Sequence, residues 1–234
     1  MHNNQQIPTF GCSVRKNMKI INLSLENSIL GRFLAETRDT GIQKDRLRFR
    51  RNIERISEIM AYETSKELDY FPSNITTPLG TAVHRVPDDR IVLATLLRAG
   101  VPMHSAFLGY YDKADCAFVS AYRKYSSDTE FTIESKYIAT PSLEGKTLIM
   151  VDPMLATGKS LITGYEALRK YGEPSKVILA SIIASEQAVE FIEKHFPHKN
   201  TSLYCATIDP SLNAHFYIVP GLGDAGDLCF GEKL

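Results

Sequence analysis

The segment 152–160, DPMLATGKS, combines an acid, two hydroxyls and a glycine in a short stretch. If a helix begins here, its first turn presents unpaired backbone N–H groups and a partial positive charge, which together bind phosphate. Thr157 and Ser160 add hydroxyl donors, and Gly158 lets an anion approach the backbone closely. Asp152 would repel a phosphate and is better suited to sugar hydroxyls or to a metal ion. The segment therefore predicts a phosphate socket with an acid at its edge.

Two other interpretations fit the same segment. Gly158-Lys159-Ser160 resembles the end of a nucleoside triphosphate P-loop, but that loop needs a glycine at position 153, where this chain has proline. Proline fixes φ and lacks an N–H, so it fits poorly in a cradle built from backbone N–H groups. An ordinary strand-to-helix turn with a capping threonine is the second interpretation, and the segment alone does not exclude it.

Two arginines come directly after predicted strands. Arg98 follows the apolar run 90–97 and precedes Ala99-Gly100, and Arg123 follows the predicted strand 117–122. An arginine at the carboxyl end of a strand, beside small residues, can bind an anion through its side chain and the adjacent backbone. A surface arginine in a turn explains the Arg98 segment equally well.

The tail 217–227, YIVPGLGDAGD, carries three glycines and two acids. A stretch so rich in glycine would normally be loose. It makes sense if its exposed backbone groups match the donors and acceptors on the edge of a nucleobase. Tyr217 would then offer ring surface for stacking. A simple turn cluster is the alternative.

The elements that must position these residues alternate between strand and helix. Apolar runs at 147–151 and 176–184 predict buried strands, and Leu161, Tyr165 and Leu168 at helical spacing predict a helix after the first of them. This alternation predicts an α/β fold with a parallel central sheet covered by helices on both faces.

The remaining segments give a plan of a single domain over 1–234. We expect a long helix at about 44–68 that is ended by Pro72, and a turn-rich stretch at 73–90. A two-stranded flap at 124–142 is a candidate lid at the ligand edge. The outer segments are an N-terminal arm, 1–43, and a C-terminal base-binding segment, 209–234.

Composition limits the classes of function. The chain has 234 residues, 44% of them hydrophobic, which is enough for a sizeable core. Lysine plus arginine equals aspartate plus glutamate at 27 each, so net charge gives no argument for binding nucleic acid or an anionic membrane. The four cysteines are scattered without paired spacing, so we expect a reduced, cytoplasmic chain. No apolar run approaches the ~18 residues that suggest a membrane span.

Taken together, these motifs resemble the uracil phosphoribosyltransferases over about residues 20–234. The resemblance is carried by Leu97-Arg98-Ala99-Gly100, Tyr122-Arg123, Asp152 through Gly158 with Ser160, and Tyr217 through Asp227. It implies a type I phosphoribosyltransferase fold with a flap hairpin and a C-terminal hood over the base. It also implies transfer of the phosphoribosyl group from 5-phospho-α-D-ribose 1-diphosphate (PRPP) to uracil, which gives UMP and diphosphate in pyrimidine salvage.

The resemblance also implies roles for individual residues. Asp224, Arg98 and Arg123 are the implied catalytic residues, with Asp224 facing PRPP and its Mg²⁺. PRPP binding is implied for Arg98, Arg123, Asp152, Pro153, Met154, Leu155, Ala156, Thr157, Gly158, Lys159, Ser160 and Asp224. Uracil binding is implied for Tyr217, Ile218, Gly223, Asp224 and Ala225. Mg²⁺ is the implied cofactor, GTP is an effector that the family allows, and a homodimer or homotetramer is the implied assembly.

The sequence departs from the family pattern at several positions. Lys159 stands where glycine is typical, and Pro102 also replaces a usual glycine. Lys124-Tyr125 replaces polar or acidic residues after Arg123. Ala214 and Phe216 replace the usual glutamate and glycine just before Tyr217.

Two other functions remain open on the sequence. A nucleotide-sensing regulator on the same scaffold, with RNA as its partner, would use five arginines near the start of the long helix: Arg46, Arg48, Arg50, Arg51 and Arg55. A solvated or ion-paired helix face explains those arginines without any ligand. A phosphoribosyltransferase for another base is the second alternative.

Overall fold

A computed structural model describes residues 18–125, 131–196 and 199–233, although it leaves out the side chains of 121–125 and 131–136. The strands are β1 Lys19–Asn22, β2 Tyr70–Thr77, β3 Gly80–Pro87, β4 Ile91–Leu97, β5 Asp115–Tyr125, β6 Phe131–Ala139, β7 Thr147–Leu155, β8 Lys176–Ser185, β9 Thr201–Asp209, β10 Ser211–Leu212 and β11 Ile218–Val219. The α-helices are α1 Leu30–Arg38, α2 Arg46–Ser65, α3 Val101–Leu108, α4 Lys159–Arg169, α5 Glu186–His195 and α6 Ala225–Phe230.

Seven strands form the central sheet, in the order β1-β9-β8-β7-β4-β5-β6. Every neighbouring pair is parallel except β5 and β6, which are antiparallel at one edge. β7 lies in the middle, paired with β4 on one side and β8 on the other. The carboxyl ends of these strands therefore meet at one edge of the sheet, where ligands bind in open α/β folds.

Helices cover both faces of the sheet, each over its own apolar cluster. On one face Phe49 and Ile56 of α2 and Phe107 of α3 pack with alternate residues of β4, β7 and β8. On the other face Leu161 of α4 and Ile192 of α5 pack with the intervening residues of the same strands. Parallel strands buried on both faces have the continuous apolar runs seen in this sequence. The predicted α/β fold class is confirmed.

The stretch expected to be turns, 73–90, is instead mostly strand. β2 and β3 form a separate antiparallel hairpin in which Tyr70 pairs with Pro87 and Thr77 with Gly80. The long helix also ends at Ser65, so the prediction that Pro72 ends it was wrong. Pro72 lies inside β2, where a proline is tolerated because both strands of a two-stranded sheet are edges.

The segment expected to be an arm, 1–43, is built into the fold wherever the structure describes it. Residues 1–17 lie outside the described part. Lys19–Asn22 adds a parallel edge strand beside β9, and Leu30 and Leu34 of α1 are buried against α2. Because both elements bury apolar side chains, they belong to the layers of the domain.

The expected two-stranded flap, 124–142, corresponds to the pairing of β5 with β6. This pairing extends from Phe118 opposite Ala139 to Tyr125 opposite Phe131, so the hairpin begins inside the central sheet. Residues 126–130, at its tip, lie outside the described part. Among the described helices, none is both long enough and apolar enough to cross a membrane.

Candidate active site

A cavity of about 800 Å³ lies at the carboxyl ends of β4 and β7. It is bounded by the loop 152–160, here called the donor loop, by the turn after β4, and by residues 209–233, here called the hood. These three segments are far apart in sequence, and the parallel sheet brings them together because their strands end at the same edge.

The structure brings most of the implied site residues to this cavity. Its lining includes Arg98, Asp152, Met154, Leu155, Ala156, Thr157, Gly158, Ser160, Tyr217, Gly223, Asp224 and Ala225. Among the implied residues whose side chains are described, three are not part of the lining: Pro153 and Ile218 are buried, and Lys159 is exposed at the start of α4. Arg123 lies in β5 with its backbone opposite Ile133, but its side chain is outside the described part.

The donor loop is shaped by Gly158, which precedes α4 with φ 76°. A side chain there would be strained by this left-handed backbone. Its Cβ would also lie 3.0 Å from Phe191 and 3.3 Å from Ile192 of α5. The Ser185 hydroxyl donates to the Ala156 carbonyl at 2.6 Å and fixes the middle of the loop. Gly158 and Ser160 line the cavity, so the loop places the start of α4 at the cavity wall. The start of a helix can bind phosphate.

Asp152 is half-buried at the edge of the cavity. Burial raises the pKa of its carboxyl to about 7, and the Met154 N–H, 3.4 Å from Oδ1, offsets this only weakly. A carboxylate this poorly solvated gains when hydroxyl groups donate to it, because they replace the missing water. The site is therefore suited to sugar hydroxyls beside the phosphate socket.

We expect Asp152→Asn to stabilise the ligand-free protein in a pH-dependent way. The raised pKa of about 7 means that the folded state keeps a proton that the unfolded state releases near pH 4, so the wild type loses stability as pH rises from about 4 through 7. Asparagine cannot ionise. The melting temperature of the Asp152→Asn variant should therefore match that of the wild type near pH 4. At pH 8 it should exceed that of the wild type by roughly 4–8 °C, after allowing for solvent screening.

Thermal melts from pH 4 to 8.5 measure this difference. Because asparagine can still accept the Met154 N–H, packing changes are kept small. A difference in melting temperature that does not change with pH would contradict the assignment.

The turn after β4 places Arg98 on the cavity wall. Its guanidinium donates to Asp227 Oδ1 at 3.1 Å and to the Gly231 carbonyl at 3.0 Å, both in the hood. Arg98 therefore joins the sheet edge to the hood across the cavity. The same turn contains Gly100, where a Cβ would come within 2.0 Å of Thr95 Oγ1.

The hood is fastened to the domain by charged groups on α1 and α2. Arg38 donates to both carboxylate oxygens of Asp209, at 2.7 and 2.8 Å, and to the Gly221 carbonyl at 3.2 Å. Asp209 also accepts the Gly221 N–H at 2.8 Å. Arg50 donates to the Cys229 carbonyl at 2.7 Å. These contacts give a glycine-rich tail a defined backbone, which a site for a flat base needs.

Asp224 lies at the start of α6 and faces the cavity. Its Oδ1 accepts the Asp227 N–H at 3.0 Å, so the side chain caps the helix. Its Oδ2 is 4.0 Å from Lys233 Nζ. The adjacent Ala225 N–H points at the Met154 sulfur, 3.4 Å away, which brings the hood against the donor loop. Asp224 therefore lines the cavity next to the point where the hood contacts the donor loop.

Sequence reasoning missed several residues of the cavity, notably Phe216, Lys233 and Ser120. Ser120 and Lys233 carried no local signal, because they reach the cavity only through strand register and the path of the hood. Phe216 did carry a local signal, because it is a bulky residue at a position where the family usually has glycine. It adopts φ 60°, a conformation that costs a residue with a side chain about 1–2 kcal/mol.

Most of the arginines near the start of α2 contact other groups of the same chain. Arg48 forms a bidentate pair with Glu36 at 2.8 Å and lowers the pKa of that carboxyl to about 2. Arg51 pairs with Glu54 at 2.9 Å, and Arg55 lies over the Phe33 ring. Together with the Arg50 contact to the hood, these pairs support the ion-paired helix face and give no support to an RNA-binding surface.

Comparison with known proteins shows the family to which the chain belongs. The family model for uracil phosphoribosyltransferase matches residues 24–232. A uracil phosphoribosyltransferase of Porphyromonas gingivalis is 55% identical over 93% of this chain and 100% of its own length. One from Methanococcus vannielii is 35% identical, covering 86% of this chain and 87% of its own. The solved structure of the AQ2163 protein from Aquifex aeolicus superposes with a TM-score of 0.80 at 26% identity, covering 91% of this chain and 98% of that one. The chain belongs to the uracil phosphoribosyltransferase family.

Proposed function

We propose that the cavity between the donor loop and the hood is the active site at which this chain transfers the phosphoribosyl group of PRPP to uracil, giving UMP and diphosphate. The observation that carries the proposal is that the donor loop and the hood, 50 or so residues apart, line one cavity of about 800 Å³. That volume lies within the usual range of small-molecule sites, about 300–1,000 Å³.

The donor loop is assigned to the 5-phosphate and ribose. The N–H groups at the start of α4 and the hydroxyls of Thr157 and Ser160 would bind the phosphate. Asp152 would accept the ribose hydroxyls. Arg98 and Arg123 would bind the diphosphate, so Arg98 must exchange its contacts with Asp227 and Gly231 for the donor.

The hood is assigned to uracil. Ile218, Gly223 and Ala225 would offer backbone donors and acceptors to the polar edge of the base, and Tyr217 would offer ring surface. Tyr217, Gly223 and Ala225 border the cavity, whereas the buried Ile218 would act through its backbone. The fastening of the hood by Arg38 and Asp209 would keep this backbone fixed.

The reaction needs no nucleophile from the protein, because a uracil nitrogen attacks the anomeric carbon as the bond to diphosphate breaks. Positive charge develops on the ribose and negative charge on the leaving group. Arg98 and Arg123 would stabilise the departing charge, and Asp224 the charge on the ribose side. A flap of β5 and β6 that closes over the cavity would keep water from capturing the ribosyl cation.

The residues of the cavity are compatible with Mg²⁺ carried by PRPP. Within the described ranges, no group of three His, Cys, Asp or Glu side chains could hold a metal ion alone. Mg²⁺ usually keeps several waters and binds through one or two carboxylates together with substrate phosphates. Asp224 and Asp152, which both line the cavity, would supply those carboxylates. When bound, Mg²⁺ would offset negative charge on the diphosphate.

The test is formation of UMP from uracil and PRPP with Mg²⁺ by the purified chain. Competition among uracil, cytosine and purine bases separates this function from transfer to another base. Absence of turnover, while PRPP still binds, would overturn the proposal. Cytoplasmic localisation and regulation by GTP stay predictions; the first derives from the cysteine pattern, and the second from the family alone.

The β2–β3 hairpin supports assembly of the chain into a homo-oligomer. The hairpin exposes five large apolar residues: Phe71, Ile75, Leu79, Val83 and Val86. Phe71, Ile75 and Val86 share one face of the hairpin, whereas Val83, which pairs with Asn74, lies on the other face. An isolated two-stranded hairpin is marginal in water, and exposed apolar side chains on both of its faces mark a contact surface. We infer that a second copy of the chain covers the hairpin.

Leu79→Asp combined with Val83→Asp should therefore shift the protein toward monomer. Leu79 is fully exposed and Val83 is 68% exposed, so the change should disturb the isolated fold little. Light scattering coupled to size exclusion gives the mass. Leu47→Asp is the control, since Leu47 is 71% exposed in the first turn of α2, where an acid is tolerated. An unchanged mass for the double variant would contradict this role of the hairpin.

A further inference from the structure

Ser120 lies where the hairpin of β5 and β6 leaves the central sheet. It pairs with Leu97 of β4 on one side and with Tyr137 of β6 on the other. It also lines the cavity, and the residue is half-buried there. Neighbouring strands lie about 5 Å apart, and Arg98 directly follows Leu97. Ser120 is therefore beside the turn that places Arg98 on the cavity wall.

The pairing of β5 with β6 is irregular at this residue. Ser120 lies opposite Tyr137. The next residue of β5, Ala121, lies opposite Ser135, so Lys136 is an extra residue on β6. A bulge of this kind bends its strand and interrupts the ladder of hydrogen bonds, and bulges are frequent next to active sites. The hairpin beyond this point is the expected flap, so the bulge at Ser120 and Tyr137 is its root.

The Ser120 hydroxyl holds the root of the flap and keeps a donor of its own. Its Oγ accepts the Tyr137 N–H at 3.0 Å, so a side chain serves here as partner to the backbone of the bulge. Accepting that N–H uses only a lone pair, so the hydroxyl can still donate its own hydrogen. Because hydrogen bonds in a chain polarise one another, a hydroxyl that donates to an anion also becomes a better acceptor. An anion bound by Ser120 would therefore strengthen its hold on Tyr137.

The neighbours of Ser120 indicate which anion this is. The proposed function assigns Arg98, in the adjacent turn, to the diphosphate of PRPP. The 5-phosphate is assigned to the donor loop, which has hydroxyls of its own in Thr157 and Ser160. Phosphate oxygens accept hydroxyl groups in short, charge-assisted hydrogen bonds. The diphosphate is therefore the anion that Ser120 is placed to meet.

We propose that Ser120 is a further PRPP-binding residue, whose hydroxyl donates to the diphosphate beside Arg98 while it accepts the Tyr137 N–H. This rests on the proposed function, because it takes PRPP as the ligand. The two hydrogen bonds of one hydroxyl link the bound donor to the root of the flap. The root is then held most firmly when PRPP is present, which is when water must be kept from the ribosyl cation.

The test compares Ser120→Ala with Ser120→Thr. Alanine removes the hydroxyl, whereas threonine keeps it and suits a strand. The KM for PRPP and its dissociation constant by calorimetry should rise about tenfold in the alanine variant and stay within about threefold in the threonine variant. The KM for uracil should stay within about twofold in both. Ser142→Ala is the matched control, because Ser142 Oγ also accepts a backbone N–H, that of Glu144 at 3.3 Å, but does not line the cavity.

Hydrogen exchange of the Tyr137 amide, measured by NMR, tests the link to the flap without turnover. Saturating PRPP with Mg²⁺ should slow this exchange severalfold in the wild type and leave it unchanged in the alanine variant. The proposal is overturned if the alanine variant binds PRPP within about twofold of the wild type, if threonine weakens binding as much as alanine does, or if PRPP slows the exchange equally in the wild type and the alanine variant. Failure of the proposed function itself would look different, since the wild type would then make no UMP.

Discussion

An Asp224→Asn enzyme is expected to lose about 10²–10³-fold in kcat while it melts within about 2 °C of the wild type. Asp224 lines the cavity together with the donor loop, and under the proposed function charge would develop in this cavity as diphosphate leaves. Asparagine keeps the hydrogen bond to the Asp227 N–H, because asparagine and aspartate cap helices about equally well. The lost pair with Lys233 is long, at 4.0 Å, and partly exposed, so it contributes little to stability.

Asp224→Ala separates the proposed catalytic role of this residue from its role as the cap of α6. Alanine loses the charge and also the cap, so we expect the same fall in kcat together with a melting temperature about 2–4 °C lower. Initial rates of UMP formation at saturating PRPP and uracil, with melts of each variant, measure both effects. If the asparagine variant keeps kcat within threefold of the wild type, Asp224 has no part in the chemistry.

The central sheet could be predicted because its strands are buried on both faces. β7 and β8 have uninterrupted apolar runs, and the helices that follow them repeat apolar residues at 3.6-residue spacing. Such patterns are local and need no knowledge of the rest of the fold. The donor loop was found for the same reason, since the strand, the loop and the start of α4 are continuous in sequence.

The β2–β3 hairpin was missed because it has no buried face among the described elements. Its residues are exposed on both sides, so no alternation of apolar and polar residues marks it as a strand. Pro78 and Pro87, in the stretch expected to be turns, are typical turn residues, although a two-stranded ribbon accepts prolines at its edges. β1 was missed since four residues are too few to show a period.

Parts of the site depend on contacts between distant segments, which no local pattern contains. The pair of Arg38 with Asp209 joins α1 to the end of β9, and it gives the glycine-rich hood a fixed backbone. Arg98 was placed at the cavity by its motif, but its present partners, Asp227 and the Gly231 carbonyl, follow only from the folded path of the hood. Sequence gives the candidate groups, and the tertiary structure decides which of them meet.

Gly100→Ala is expected to be the most damaging change of a small residue outside the hood. A Cβ at position 100 would lie 2.0 Å from Thr95 Oγ1, 2.8 Å from the Leu96 carbonyl and 3.3 Å from the Val151 carbonyl. None of these atoms can yield easily, because Thr95 is buried and bonds to the Val151 carbonyl at 3.2 Å. The turn must move instead, and Arg98 moves with it. We expect a loss of about 2–3 kcal/mol in stability and about 10²-fold in kcat/KM for PRPP.

Denaturant melts and initial rates at varied PRPP measure these losses, and two further variants assign their cause. Gly31→Ala is the control, because no atom lies within 4 Å of its Cβ in α1 and alanine should stabilise that helix by up to about 1 kcal/mol without changing the rate. In a Thr95→Ala background, the shortest clash disappears while that with the Leu96 carbonyl remains, so Gly100→Ala should then cost less but still cost something. If Gly100→Ala lowers stability and kcat/KM equally in both backgrounds, the clash with Thr95 is not what displaces the turn and Arg98.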